Sequence, residues 1–334
     1  MYAPPAVAGN LLFIGSCNGM FYSLDKTTGK VRWSYDTRKE GDQSQFHGAP
    51  LIAGGLIIVG TDGRDIGGVY AFDMTTGNLR WKYLIRGGFS DSRGIQTDIL
   101  RLASSAYAVA LGDELICLDL KSGRANWTYQ SGLRKERSTW SQSPAVGAGR
   151  VFFGGLDGTV YALDARSGQV TWKRYLGAPV STALTVWGDL YLGTANSHIY
   201  RLNTETGQIL ADFKTEMTPI DTPAVAGDSI LFFLNRGGGV GAGSVLICLD
   251  RCLKLRWSQR ASTWSISRVY LWHGMVLVGN EDGSLVGYKL SDGSQQWSQK
   301  FKGMIRSIGQ ADDLVYVGTL DGTVYAYRPQ PRKE

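Results

Sequence analysis

The chain has 334 residues, is 43% hydrophobic and carries a formal charge of +6, enough apolar material for a large core. Its longest apolar run, Leu51 to Val59, is too short and too broken by glycine to span a bilayer, and no basic-then-apolar leader follows Met1. No basic run exceeds a few residues, so a nucleic-acid surface is not expected. The four cysteines (Cys17, Cys117, Cys248, Cys252) include no metal-type pair.

One phrase recurs through the chain. Tyr22-Ser-Leu-Asp25-Lys-Thr-Thr-Gly29-Lys-Val-Arg-Trp33 returns at Asp73/Gly77/Trp81, at Asp119/Gly123/Trp127 and at Asp164/Gly168/Trp172. A repeat of this period fixes an array of equal units. The aspartate begins a tight turn and accepts a backbone N–H two residues on. The glycine supplies positive φ, and Val31 and Trp33, two apart, fall on one face of the returning strand. Each tryptophan buries roughly 150–250 Å² against the next unit, at most about 4–6 kcal/mol.

In chain order, unit 1 has strands near Pro5–Ala8, Leu11–Ile14 and Met20–Leu24, with Asn18-Gly19 as a hairpin turn, then an outer strand carrying Trp33. Unit 2 runs from Pro50 to Trp81 with Asp62-Gly63 in its middle turn. Unit 3 ends clearly, but Ala103 to Leu118 is compressed and does not separate into strands. Unit 4, Pro144 to Trp172, is the cleanest copy. Unit 5 has Asn203 for the aspartate and Ala211 for the tryptophan. Unit 6, Pro223 to Trp257, holds the glycine run Gly237–Gly243 and a turn one residue short. Unit 7 ends at Trp297 with Lys289 for the aspartate, and unit 8 stops after Tyr325-Ala-Tyr327.

The tryptophan spacings of 48, 46 and 45 residues, then 85 for two units and 40 for one, give eight units. The expected fold is all-β: a single eight-bladed propeller over 1–334, with blades at 1–36, 46–84, 99–130, 140–176, 178–214, 219–259, 264–300 and 304–328. The last blade lacks its outer strand. Trp33, Trp81, Trp127, Trp172, Trp257 and Trp297 are structural. Cys117 and Cys248 occupy the slot of Ala71 and Ala162 and read as small buried strand residues.

The Asp/Gly/Trp phrase resembles the pyrroloquinoline-quinone-like propeller repeat family, over essentially the whole chain. Within it the layout is similar to the lipoprotein propellers of the outer-membrane β-barrel assembly machine. That resemblance implies a non-catalytic, periplasmic or otherwise extracytoplasmic scaffold that binds protein partners; a monomer is expected. The family's lipid-bearing cysteine has no counterpart here. Two alternatives stand beside it: a ligand-sensing or interaction domain of a larger protein, and a quinone-binding redox domain. The quinoprotein dehydrogenases of the family imply a vicinal disulfide, calcium and about twice this length. With no vicinal cysteines, no catalytic residue, metal or cofactor is expected.

Connections from one unit's outer strand to the next unit's inner strand should emerge on one face. They carry Arg38, His47, Arg86, Arg93, Arg101, Arg134, Arg137, Arg260, Arg268, Lys302 and Arg306, with Trp140 and Trp264 in Thr-Trp-Ser contexts outside the repeat slot. Basic loops with spare aromatics form an interaction surface for acidic partners or an anionic ligand. Solvated loop charge is the competing reading. His47, His198 and His273 fall at non-equivalent places and read as surface or turn residues.

Overall fold

The computed structural model describes residues 3–41, 43–64, 66–86, 93–131, 141–235, 243–261 and 268–329, the side chains of 40, 43, 44 and 93 excepted. These residues form eight antiparallel sheets, each read inner to outer in chain order. Blade 1 is Ala6–Ala8, Leu11–Gly15, Met20–Asp25 and Val31–Asp36. Blade 3 resolves the stretch that the sequence left unseparated: Leu100–Leu102, Ser105–Ala110, Glu114–Asp119 and Ala125–Gln130. Its middle turn is Leu111-Gly112-Asp113, with φ of 93° at Gly112 and 60° at Asp113. A hairpin without Asn-Gly or Asp-Gly escapes the usual sequence signal. Blade 8 has three strands, Ile305–Ala311, Leu314–Thr319 and Val324–Tyr327.

The chain divides into two compact units, Met1–Phe153 with Leu163–Val170 and Gly154–Ala162 with Thr171–Glu334. In the first, Phe13, Phe21, Ile57, Tyr70 and Phe72 pack between blades 1 and 2, and Ile58, Trp81, Ala106 and Ile116 pack between blades 2 and 3. In the second, equivalent layers join blades 5 to 6, 6 to 7 and 7 to 8. The cores are interfaces between sheets, because each strand alternates faces and both faces of blades 2, 6 and 7 are covered.

The repeat phrase folds as its residue types require. Asp25 Oδ1 accepts from the backbone N–H of Thr27 (3.1 Å) and Thr28 (2.9 Å) and from the Thr28 hydroxyl. The hydrogen bond from Arg32 and those from Thr28 hold its carboxyl far below the ordinary carboxylate range. Gly29 has φ 70°.

The outer strand departs from the simple alternation. In blade 1 the register shifts between Ser23 and Leu24, so Trp33 faces Ser23 while Val31 faces Leu24, and Arg32 is the extra residue of a β-bulge. The same shift precedes Trp81, Trp127, Trp257 and Trp297. Val31 and Trp33 therefore do not share a face: Val31 is 57% exposed. A bulge turns the strand and inverts the parity of everything beyond it.

Blade 2 also differs from expectation. Asp62-Gly63 is not its middle turn, because the strand Leu56–Gly63 runs through both residues. Short strands at Gln43–Gln45 and Arg93–Gly94 pair with that extended end, so the inserted residues lengthen the hairpin and bury Asp62.

Five tryptophans lock onto the following blade. Trp33, Trp81, Trp127, Trp172 and Trp257 donate their indole N–H to the carbonyls of Met74, Leu120, Ala165, Thr204 and Leu290 at 2.8–3.1 Å. Each ring also covers the next turn's glycine. Blade 5 has Ala211 in place of a tryptophan, and the turn it would cover has Leu253, 4% exposed and in one apolar cluster with Ala211. The missing ring and the shortened turn are thus one change.

Candidate functional site

In each four-stranded blade the antiparallel order puts the first and third hairpins at one end. The middle hairpin and the connection to the next blade lie at the other. In the first unit, Arg38, His47 and Arg86 stand at the connection end. Arg38 follows Val31–Asp36 in a short 3-10 turn and pairs with Asp36 through Nε at 2.9 Å. Arg86 is the exposed last residue of Leu79–Arg86. Arg93 pairs with Gly63 through its backbone. Arg134, Arg137 and Trp140 lie outside the described residues.

His47 is not the surface residue expected. Its side chain is 12% exposed, and Nδ1 lies 2.8 Å from Asp62 Oδ1. The second oxygen of Asp62 accepts from Gln96 Nε2 at 3.0 Å. Next to this cluster, Asp98 accepts from the Ala49 N–H (2.6 Å), and its own N–H donates to Ser143. These contacts knit the starts of blades 2, 3 and 4. Nothing in the sequence flags Asp62 and Gln96 as partners, because the extension of Leu56–Gly63 brings them together.

Arg101 belongs elsewhere. It lies in Leu100–Leu102, opposite Ala106 and one pair from the first hairpin of blade 3, and its Nε donates to Ala103 O at 2.9 Å. This places it at the hairpin end, not on a connection. The boundary slipped in the sequence because blade 3 lacks a recognisable middle turn.

In the second unit, Arg260 is the exposed last residue of Leu255–Arg260, and Lys302 is exposed just after Gln295–Lys300. Arg268 Nε stands 3.8 Å from Asp221 Oδ1, and Arg306 is half-buried at the start of Ile305–Ala311. Trp264 lies outside the described residues, as does most of the glycine run. His198 pairs with Asp212 at 2.7 Å and stacks on Tyr200, whereas His273 sits exposed in a hairpin.

The arrangement suits binding. Arg86, Arg260 and Lys302 form no ion pair among the described residues, so their charge is available to a partner. The carboxylates of the repeat are engaged by their own turns, as Asp73, Asp119 and Asp164 each accept from the residue three further on. No cluster of three or more potential metal ligands occurs among the described residues. No helix there is long and apolar enough to cross a membrane.

Eight blades of this repeat define an all-β propeller with pyrroloquinoline-quinone-like repeats. The sequence profile described as "Outer membrane protein assembly factor BamB" matches residues 2–210, 112–245 and 239–331, and the chain belongs to that family. The Yersinia pestis outer membrane protein assembly factor BamB is 27% identical over 242 residues, 70% of this chain and 59% of that protein. A crystal structure of BamB from Moraxella catarrhalis superposes with a TM-score of 0.79 at 18% identity, covering 98% of this chain and 96% of the other. A 1-butanol dehydrogenase (cytochrome c) from Thauera butanivorans is 33% identical over 89 residues, 25% of this chain and 13% of the enzyme. The match therefore spans about three fifths of the Yersinia relative and a small part of the dehydrogenase.

Proposed function

We propose that this chain is a non-catalytic scaffold for outer-membrane protein assembly, working on the periplasmic side of the envelope as a single propeller domain and as a monomer. The observation that carries this reading is the family match along the chain, joined to a repeat whose carboxylates are used up in turns. Partner proteins dock on the basic connection ends within each unit, at Arg86 in the first and at Arg260 and Lys302 in the second, which form no ion pair among the described residues. No quinone takes part: the sequence match to a dehydrogenase covers only a quarter of the chain, the longer structural likeness to a quinohemoprotein alcohol dehydrogenase, at 14% identity, is one of fold alone, and the buried cysteines Cys117 and Cys248 are free and in different blades.

Expression in a bacterium deleted for its own BamB tests the role. Restored outer-membrane protein levels are expected, with loss of rescue in an Arg260→Glu/Lys302→Glu chain that stays folded. A wild-type chain that reaches the periplasm and rescues nothing overturns the reading. Calorimetric titration with pyrroloquinoline quinone, with and without calcium, should give no heat. Saturable micromolar binding would return the redox alternative.

A further inference from the structure

A cleft of about 340 Å³ opens between blades 2 and 3 at their hairpin ends, away from the connections discussed above. Its walls are Arg80 of the blade 2 outer strand, Arg101 of the blade 3 inner strand, and Asp119, Leu120 and Lys121 of the blade 3 outer hairpin. Leu56 lines it from blade 2. Its volume falls at the lower end of the range of sites that hold a ligand, about 300–1,000 Å³.

The neighbouring clefts provide an internal comparison. The residue before the repeat tryptophan, the centre of the next inner strand and the second residue after the next turn aspartate recur in each. Between blades 1 and 2 they are Arg32, Ile52 and Thr75; between blades 3 and 4 they are Asn126, Val146 and Arg166. Only between blades 2 and 3, among these three, are all three positions cationic. Arg32 is already spent, 2.6 Å from Asp25. The side chains of Arg80 and Lys121 form no ion pair or hydrogen bond among the described residues, and Arg101 donates only Nε, to Ala103 O.

Asp119 does not cancel this charge. Its Oδ1 accepts from the Ser122 hydroxyl (2.6 Å) and N–H (2.8 Å). Within the lining, three cations against one carboxylate leave an excess of two; Asp73, outside the lining, feels the charge of Arg80 without forming an ion pair with it among the described residues. The site is also rigid where it must be, because the Trp81 indole holds Leu120 O at 3.0 Å and fixes the hairpin that carries Lys121.

We propose that this cleft docks an acidic, extended segment of a partner protein. Two carboxylates sit on Arg80, Arg101 and Lys121, and an aliphatic side chain lies between them on Leu56 and Leu120. Guanidinium groups favour carboxylates through paired N–H donors, and the exposed setting makes the attraction salt-dependent. The proposal rests on the scaffold reading and gives it a second contact surface, at the opposite end of the blades.

The test uses the full chain and a fluorescein-labelled acetyl-Glu-Leu-Glu-Leu-Glu-amide peptide, followed by anisotropy at 50 and 300 mM NaCl. Saturable binding is expected at low salt. Arg101→Glu should weaken it at least tenfold. Lys121→Glu should do likewise, and the side chain it replaces makes no hydrogen bond among the described residues. Arg166→Glu, which reverses one charge in the neighbouring cleft, should change it less than twofold. Equal losses in all three variants, or none in the first two, overturn the proposal. So does full displacement by 5 mM inorganic phosphate, which would mark a small-anion site. Binding of phosphatidylglycerol vesicles that is lost in the same variants, with no peptide binding, would mark a membrane surface instead. Rescue in the deletion strain without peptide binding defeats this proposal alone; peptide binding without rescue defeats the scaffold reading alone.

Discussion

The six-membered ring of Trp172 lies on Gly207 so closely that a β-carbon there would come within 2.6 Å of Cε3. Gly207 also has φ 66°, a conformation that costs other residues about 1–2 kcal/mol. Gly207→Ala should therefore be more harmful than a turn substitution ordinarily is, by about 2–4 kcal/mol once the ring is pushed aside. Trp172→Ala should cost about 3–5 kcal/mol. Urea denaturation of both variants checks this. Unchanged midpoints would contradict the interblade role.

Trp297 has no such socket. Its indole N–H is buried and has no acceptor among the described residues, where blade 8 has three strands. Trp257 donates to Leu290 O at 2.8 Å. Trp257→Phe should lose that bond, about 1 kcal/mol, together with ring contacts. Trp297→Phe removes an unsatisfied donor and should cost clearly less. Parallel melting curves decide, and equal losses would reject the distinction.

Leu253 offers an inverted case. Its φ is 63°, yet replacing it with glycine should destabilise, because the side chain fills the space above Ala211. Burial of a leucine is worth about 2–5 kcal/mol and relief of the backbone returns about 1. Leu253→Gly is expected to lower stability by about 1–4 kcal/mol in equilibrium unfolding. A gain would show that the cluster is loosely filled.

Acid should weaken the turns together. Asp25, Asp73, Asp119 and Asp164 all titrate below the ordinary value of 3.8, Asp25 chiefly through the hydrogen bond from Arg32 and then through its turn, the other three because their turns donate hydrogen bonds to the ionised form. Folded values below the unfolded value mean that this contribution is fully present above about pH 4 and is lost as the pH falls through the folded values. Thermal midpoints should be level from pH 5 to 7 and fall below pH 4. Asn203 shows that an amide keeps the geometry, accepting from the N–H groups of Glu205 and Thr206 at 2.9 Å. Asp164→Asn should thus remain folded with a shallower acid limb, and an unchanged limb would place the acid sensitivity elsewhere.

The blade count and the tryptophan positions were legible because the repeat couples local turn chemistry to a long-range contact. Asp, Gly and Trp each report a different physical need at a fixed offset. The bulge before Trp33, Trp81, Trp127, Trp257 and Trp297 was not legible, since Val31-Arg32-Trp33 has no residue that demands one. Nor was the Asp62 cluster, since Asp62-Gly63 is also a good turn pair. Arg101 was misplaced for a related reason: a three-residue strand without a marked turn gives no parity to count from. Arg80 and Lys121 stood out only once neighbouring clefts could be laid beside one another.

The tryptophan contacts also set an order of events during synthesis. Each of the five rings finds its acceptor in chain that has not yet been made: 41 residues later for Trp33, 39 for Trp81, 38 for Trp127, 32 for Trp172 and 33 for Trp257. At about 5–20 residues per second, an outer strand waits roughly 2–8 s before the hairpin that seals it emerges. A chain that emerges N-terminus first, from a ribosome or from a membrane channel, therefore seals these five blades in order, each about one repeat after its own outer strand.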